Sequence, residues 1–264
     1  MKNSIPNYNI PKYEEYTDCM VAFIDILGFD SRIRNIKSRE DFFEVGKLLF
    51  ALKETERSFN ENKDLFKNLT ITAISDSIII TMPYHDPICA MAIITVIQKF
   101  QYDLIATSFA TLLRGYLTRG HVYHKDRIIF GNGYSEAYRK EREIGHAPRI
   151  VIDPKIIEDG RKKVLNYKGK EKVDHIFNYL IQDTCDGYYF IDYLKPVGLQ
   201  IGISREKLIA ERNVIKVFIE NGLKFYRDDE KITRKYKWLN NYFSLTEHYF
   251  EKAKEGAREQ GGHG

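Results

Sequence analysis

The sequence predicts an α+β fold, with an antiparallel-rich central sheet and helices packed against it. Strand-like and helical segments follow one another in the order β-α-β-β-α-β over the first half of the chain. That order is typical of a ferredoxin-like sandwich. The 43% apolar and 13% aromatic residues are enough to build a large core. We therefore predict one domain over residues 1–264, with a core at about 19–200 and a helical C-terminal extension over 201–264.

The first half of the chain supplies the elements of this order. Residues 19–29 have strand composition, and residues 39–60 place apolar side chains at helical spacing. Residues 69–82 carry two strand-like runs and are predicted to form a hairpin. A helix follows over about 87–107, and residues 111–123 return to strand character.

The second half adds further strands and more helix. The predicted elements are a helix over 134–143, a strand over 149–154, a helix over 155–182 interrupted at 168–170, a strand over 188–194, and helices over 204–222 and 230–254. The aromatic residues of the last helix indicate core or dimer packing.

Composition and charge exclude several classes of protein. The net charge is +4, from 41 basic and 37 acidic residues that are scattered rather than clustered, so we expect no nucleic-acid partner. The longest mostly apolar run, residues 88–97, is far shorter than the ~20 residues that span a bilayer, so we expect no membrane insertion. Cys19, Cys89 and Cys185 form no CxxC pair, and residues 1–16 lack the apolar core of a signal peptide. These features predict a cytoplasmic protein with reduced thiols.

Two aspartates stand at the edges of apolar strand segments. Asp25 follows Val-Ala-Phe-Ile and precedes Ile-Leu-Gly-Phe, while Asp76 lies between Ser75 and Ser77 at or near the predicted hairpin turn. For either aspartate alone, a residue that opens a turn is the favoured interpretation. Buried carboxylates are costly unless they are paired or bind a metal, and hard oxygen ligands suit Mg²⁺ or Mn²⁺. As a pair, the two predict a shared divalent-cation site.

The motifs around these aspartates resemble those of class III nucleotidyl cyclases. Residues 23–29 match the family's Phe-x-Asp-Ile-x-Gly-Phe strand, and Asp76 matches its second metal aspartate. Arg114-Gly115 resembles an Arg- and Gly-bearing strand of the family, and residues 130–139 match in part its Trp-Gly-Asn-x-Val-Asn-x-Ala-x-Arg segment. The matches run in the family's order over residues 20–153, and they imply the fold of that family's cyclase domain.

The resemblance assigns roles to individual residues. Asp25, Asp76 and the backbone carbonyl of Ile26 would hold two Mg²⁺ or Mn²⁺ ions per active site. Gly28 and Phe29 would present backbone N–H groups to the β- and γ-phosphates of a nucleoside triphosphate. Arg139 is the first candidate for stabilising charge at the α-phosphate. Arg114 is the second candidate for that role, or else it forms an ion pair at the end of its strand. Ser135 would lie near the sugar and Thr72 near the base.

Departures from the adenylyl cyclase pattern concern the base and the sugar. Thr72 replaces a Lys and Ile128 replaces an Asp that select adenine in those enzymes, and Ser135 replaces an Asn that steadies the sugar. Because base specificity depends on matched polar groups, these changes argue against ATP as the substrate.

A narrower family fits more of the chain. The sequence resembles bacterial pyrimidine cyclases of the Pycsar antiphage system, including at Glu136-Ala137-Tyr138, at residues 148–152, at residues 186–194 and at residues 235–239. This resemblance implies conversion of UTP or CTP to cyclic UMP or cyclic CMP, and we favour UTP. It also implies a homodimer with active sites at the interface and a separate effector that responds to the product.

Two other classes remain open at the level of the sequence. A catalytically degenerate cyclase-fold module would bind a nucleotide or regulate a partner without turnover, and the replacement at Ser135 is compatible with this. A two-metal phosphodiesterase or nuclease would need more carboxylates or histidines around the ions, and the sequence offers no third strong candidate.

Overall fold

A mixed sheet with helices on both faces forms the centre of the structure. The computed structural model describes residues 12–61, 68–85, 88–106, 110–144, 146–166, 178–195 and 204–249. The strands are β1 (Thr17–Ile26), β2 (Thr70–Ile74), β3 (Ser77–Pro83), β4 (Leu113–Lys125), β5 (Ile128–Phe130), β6 (Ile150–Ile152), β7 (Leu180–Gln182) and β8 (Tyr189–Ile191). The helices are α1 (Phe29–Arg34), α2 (Arg39–Glu61), α3 (Ile88–Ala106), α4 (Asn132–Ile144), α5 (Pro154–Asn166), α6 (Arg205–Phe225) and α7 (Glu230–Leu245).

The strand order confirms the predicted α+β class and the ferredoxin-like arrangement. The sheet runs β2-β3-β1-β4-β6-β8-β7, and β5 pairs with β4 outside this path. Neighbouring strands among the first four are antiparallel, with α2 between β1 and β2 in the chain and α3 between β3 and β4. This is the β-α-β-β-α-β unit that the sequence predicts. The strand β6 extends it by pairing in parallel with β4.

Strand β1 separates two apolar layers because its side chains alternate between the faces of the sheet. Met20, Ala22 and Ile24 face the layer that α2 and α3 cover, together with buried residues such as Leu48 and Ile93. This is the largest apolar cluster of the described residues, and burial of its side chains supplies most of the driving force for folding.

The opposite face of β1 packs against α4. Cys19, Val21 and Phe23 lie in this second layer with Ala137 of α4. Asp25 follows the same alternation and therefore projects from this face, at the end of the strand. The helix α4 thus lies beside the carboxylate that the sequence singles out.

Helices α6 and α7 pack together at the β8 side of the sheet. Their shared cluster contains Ile215 and Ile219 of α6, Leu239 and Tyr242 of α7, and Phe190 of β8, all buried. The N-terminus of each helix has a side-chain cap. Ser204 accepts a hydrogen bond from the N–H of Lys207 and Asp229 accepts one from the N–H of Ile232. The caps and the apolar cluster fix where α7 starts and which face it buries.

Most predicted elements are confirmed, one segment has the wrong element type, and some boundaries differ. The helices predicted over 39–60 and 87–107 are α2 and α3, and the predicted hairpin is β2–β3. Residues 180–182, predicted to end a helix, form the strand β7 because they pair with β8 at the sheet edge. The first strand ends at Ile26 instead of residue 29, because Phe29 already begins α1.

Part of the predicted structure lies outside the described residues. The interruption predicted at 168–170 belongs to this part, as do residues 250–254 of the helix predicted over 230–254. That helix is α7, which ends earlier than predicted, at Leu245, with Thr246 as its C-cap. No helix within the described ranges is both long enough and apolar enough to cross a bilayer.

The contact between α6 and α7 predicts the effect of a single methyl group. A Cβ at Gly222 would lie 2.1 Å from Cε1 of Tyr236, whose ring stacks on Tyr226 and packs edge-on against Phe218. We expect Gly222→Ala to lower the free energy of unfolding by about 1–3 kcal/mol, because a buried ring cannot move freely in a packed core. Chemical denaturation measures the change.

A second glycine provides the matched control. Gly46 lies on the exposed side of α2, and nothing stands within 4 Å of a Cβ placed there. Gly46→Ala is expected to raise stability by about 0.5–1 kcal/mol through helix propensity. Equal effects of the two substitutions would contradict the packing account of Gly222.

Candidate active site

A strand end and a hairpin turn bring the two aspartates together. In the register of the sheet, Asp25 of β1 is paired with Ser77 of β3, the residue directly after Asp76. The N–H of Ile26 donates a hydrogen bond to the carbonyl of Asp76 at 3.1 Å. The turn consists of two residues, Ser75 and Asp76, and Ser75 adopts a positive φ of 55°. The hairpin therefore delivers Asp76 to the end of β1, as the sequence analysis expected for a shared site.

The carboxylate of Asp25 is paired with a guanidinium. On its other side β1 pairs with β4, and the register places Arg114 opposite Asp25. Both Nε and Nη2 of Arg114 lie 2.9 Å from Oδ2 of Asp25. Burial raises the pKa of Asp25, the positive charge of Arg114 opposes that shift, and the nearby carboxylate of Asp76 adds to it. The ion pair that the sequence analysis gave as the alternative role of Arg114 is thus present in the structure. Its partner is Asp25, so Arg114 lies in the candidate site.

Glu141 is a member of the site that the sequence analysis did not assign. It lies on α4 with its side chain buried, and its Oε1 is 2.7 Å from Nε of Arg114. Burial raises the pKa of Glu141, and Arg114 counteracts this. The sequence signal was the spacing of Gly133, Ala137 and Glu141, since residues four apart share one face of a helix and all three are buried.

Asp25, Asp76 and Arg114 border an open cleft of about 700 Å³, whereas Glu141 is not among its lining residues. The lining comes from the end of β1, the start of α1, the β2–β3 turn, β4, the segment after α4, and α7. The lining residues are Asp25, Ile26, Leu27, Gly28, Phe29, Asp30, Asp76, Arg114, His146, Glu230, Lys231, Arg234 and Lys235. The volume falls in the range of ordinary small-molecule sites, about 300–1,000 Å³.

Basic residues of α7 form one side of this cleft, and the sequence analysis gave them no role in binding. Lys231, Arg234 and Lys235 all line it. The available signal was their spacing, because positions i, i+3 and i+4 share a helix face. What the sequence did not reveal is that this face points at the aspartates, because that depends on how α7 docks.

Gly28 and Phe29 border the cleft in different ways. Gly28 has a φ of 79°, and no atom lies within 4 Å of a Cβ placed on it, so its backbone is exposed to the cleft. Phe29 buries its side chain in the layer covered by α2 and α3. Any contact of Phe29 with a ligand would therefore come from its backbone, and binding of phosphate by these residues stays a prediction.

Thr72 lies outside the cleft and is bonded to a histidine. Its hydroxyl is 2.8 Å from Nε2 of His124, and the hydroxyl of Thr81 is 2.7 Å from Nδ1 of the same ring. Thr72 is only 3% exposed. Burial lowers the pKa of His124 to about 4, so the ring is neutral near pH 7. To recognise a nucleotide base, the Thr72 hydroxyl would have to break its hydrogen bond to His124 or form a second hydrogen bond beside it.

Ser135 and Arg139 project from the exposed side of α4, away from the cleft of their own chain. Arg139 forms ion pairs with Glu136 at 2.6 Å and Glu143 at 2.5 Å. Ser135 lies one turn before it and is exposed. Neither is among the residues that line the cleft. Their predicted roles in phosphate and sugar binding therefore stay predictions that a single chain does not satisfy.

The donor set of the cleft fits a cation of the Mg²⁺ type. Asp25 and Asp76 supply two carboxylates, the charge of Asp76 raises the pKa of Asp25, and Ile26 lines the same space. Across the described ranges no cluster of three or more His, Cys, Asp or Glu side chains is placed to hold a metal. Mg²⁺ is commonly bound by one or two carboxylates together with substrate phosphates and water, so a two-carboxylate set suits it.

Comparisons with known proteins give limited guidance. No family model matches the sequence, and no curated protein matches it. Among solved structures, a bacterial light-regulated adenylyl cyclase is similar, with a TM-score of 0.38 and 13% identity over 77% of this chain and 100% of that chain.

The partly buried His124 predicts a loss of stability in acid. Its pKa is about 4 in the folded chain against 6.5 unfolded, so the unfolded chain binds more protons between these values. The contribution is fully present above pH 6.5, decreases as the pH falls, and has been lost by about pH 4. In the wild type, this effect lowers the free energy of unfolding by about 2–3 kcal/mol between pH 7 and pH 4, and we expect His124→Gln to abolish that decrease. Urea denaturation at a series of pH values measures it.

The exposed His121, on the same strand, serves as the control for this measurement. A loss of pH dependence in His121→Gln equal to that in His124→Gln would contradict the assignment to His124. If both variants follow the wild-type curve, His124 is not the group that titrates.

Proposed function

We propose that this chain is a nucleotidyl cyclase that converts a nucleoside triphosphate to a 3′,5′-cyclic nucleotide and pyrophosphate. The observation that carries the proposal is the convergence of Asp25, Asp76 and Arg114 at one end of a cleft that α7 lines with basic residues. Acidic groups suited to cations and basic groups suited to phosphates then face the same space. A metal-bound polyphosphate has both complementary parts.

The chemistry is an intramolecular phosphoryl transfer. The 3′ oxygen of the ribose forms a bond to the α-phosphorus, the bond from that phosphorus to the bridging oxygen breaks, and pyrophosphate leaves with the electron pair. The 3′ hydroxyl gives its proton to solvent. Two divalent ions held by Asp25 and Asp76, with the carbonyl of Ile26 as a further ligand, would stabilise the attacking and leaving oxygens when bound.

The residues of the chain then have separate tasks. Arg114 is held between Asp25 and Glu141, so its charge is fixed close to the metal-binding carboxylates. A positioned guanidinium of this kind stabilises negative charge that develops on a phosphate. The open backbone at Gly28 allows phosphate oxygens to approach the N–H groups after β1.

The substrate we propose is a pyrimidine nucleotide, with UTP favoured over CTP. The positions that hold a Lys and an Asp in adenylyl cyclases by the sequence resemblance are here Thr72 and Ile128. Ile128 is apolar and 47% exposed on β5, and Thr72 is already bonded to His124. Neither offers the charged partners that those enzymes use for adenine. In antiphage defence, the cyclic product would act as a second messenger for a separate effector.

A homodimer would complete the site. The exposed stripe of Ser135 and Arg139 cannot serve the cleft of its own chain, but it is available to a second copy. The surface beside it includes Tyr138, Ile128 and Phe130, which are 41%, 47% and 46% exposed. Such aromatic and apolar exposure is typical of interface surfaces. In this arrangement each cleft would take its aspartates from one subunit and Arg139 from the other.

Incubation with each of the four nucleoside triphosphates and Mn²⁺ tests the proposal. We expect a cyclic pyrimidine nucleotide and pyrophosphate in equal amounts, identified by chromatography and mass spectrometry. Unchanged nucleotide would instead support a binding module, and nonspecific hydrolysis of phosphodiesters would support a phosphodiesterase. A cyclic purine product would contradict the pyrimidine assignment while retaining the cyclase.

A substitution at the hairpin turn tests the role of the aspartates. We expect Asp76→Ala to lower kcat by about a thousandfold or more, because loss of a metal ligand removes several kcal/mol of transition-state stabilisation. The fold should remain intact, since Asp76 lies in a turn and its removal relieves repulsion with Asp25. Circular dichroism and thermal melting check the fold.

The control for this variant is Asp228→Ala, at an exposed position before α7 where the side chain is 89% exposed. Its activity should equal that of the wild type. Normal turnover by Asp76→Ala would show that the metal assignment is wrong.

A further inference from the structure

Charges of opposite sign line the two sides of the cleft. Asp25 and Asp76 lie at the sheet end, and Lys231 and Lys235 lie on α7. The proposed metal site accounts for the aspartates. It does not account for the lysines, which belong to the C-terminal helical part of the chain.

Lys235 is in an unfavourable setting for an isolated ammonium group. Its side chain is partly buried, and burial lowers its pKa, with further lowering by the positive charges of Arg114 and Lys231. Asp229 and Asp25 oppose this effect only in part. A positive group that is desolvated next to other positive groups is costly unless an anion compensates it.

The described residues do not provide that anion. Among them, no carboxylate lies within ion-pair distance of Lys235 or Lys231, whereas Arg234 on the same helix face pairs with Glu230 at 2.9 Å. Lys235 is thus distinguished from Arg234 by its burial and by its lack of an acidic partner within the described ranges.

The helix holds Lys235 in a fixed place. The next residue, Tyr236, is buried between α6 and α7, and Leu239 one turn later is fully buried. Further along, the hydroxyl of Tyr242 donates to Asp192 at 2.7 Å and accepts from the N–H of Leu194 at 2.8 Å. A group on such a rigid element is preorganised for a ligand.

We propose that Lys235, with Lys231 beside it, binds the β- and γ-phosphates of the substrate. This inference rests on the proposed function for the identity of the anion as a nucleoside triphosphate. Lys235 and the metal-binding aspartates line one continuous cleft of about 700 Å³, so one polyphosphate can contact both. The α-phosphate then lies at the aspartates and Arg114, and the terminal phosphates extend towards α7. The C-terminal helices are in this view part of the substrate site.

Calorimetric titration with inorganic pyrophosphate in the presence of Mg²⁺ tests the assignment on the full-length protein. We expect Lys235→Met to weaken pyrophosphate binding by about 10- to 100-fold, the effect of losing a charge-assisted hydrogen bond. Lys235→Arg should recover part of the affinity because it keeps the charge. Melting curves establish that each variant is folded.

The matched control is Lys237→Met, two residues further along the same helix. Lys237 is exposed and does not line the cleft. Its substitution should leave the affinity for pyrophosphate unchanged. Equal losses in Lys237→Met and Lys235→Met would indicate a general effect of charge and overturn the assignment.

The two proposals fail in distinguishable ways. Unchanged pyrophosphate affinity in folded Lys235→Met, or no measurable binding by the wild type, overturns the inference even if the wild type makes a cyclic nucleotide. Loss of affinity in Lys235→Met supports the phosphate site even if none of the four triphosphates is cyclised, and in that case the proposed function alone is wrong.

Discussion

The structure of the site depends on one partly buried carboxylate, that of Asp25, and on the guanidinium that compensates it. Asp25 stands on the central strand, so its neighbours are set by pairing on both sides. One side brings the β2–β3 turn with Asp76, and the other brings Arg114. Removing one partner of such an ion pair leaves the other charge uncompensated, at a cost that rises with the burial of the pair. Strand pairing and charge compensation therefore both keep Asp25, Asp76 and Arg114 next to one another.

Arg114 connects this centre to the helix layer. Its guanidinium contacts Oδ2 of Asp25 and Oε1 of the buried Glu141 on α4. Burial raises the pKa of both acids, and the charge of Arg114 acts against that in each case. Glu141 gives the Arg114 guanidinium a second ion-pair partner, on the helix layer.

The basic side of the cleft depends on how the C-terminal helices attach to the sheet. Buried Arg149 binds Asp183 and Asp186, and Nε1 of Trp238 on α7 donates to the same Asp183 at 2.8 Å. Together with the bond from Tyr242 to Asp192, these contacts set the position of α7. Directional polar contacts specify one docking geometry, whereas apolar contacts alone tolerate several.

The sequence by itself determined the β-α-β-β-α-β order, the hairpin that carries Asp76 and the strand that ends at Asp25, because strand and helix periodicities and turn residues are local properties. It also pointed to the two aspartates as a pair. Only the tertiary structure decided that Glu141 and Lys235 belong beside them, that His124 occupies the hydroxyl of Thr72, and that Arg139 faces away from its own cleft. These residues are far apart in the chain, and they become neighbours only when α4, α7 and the end of β4 pack together. Local sequence patterns do not specify that packing, so the sequence alone could not predict these contacts.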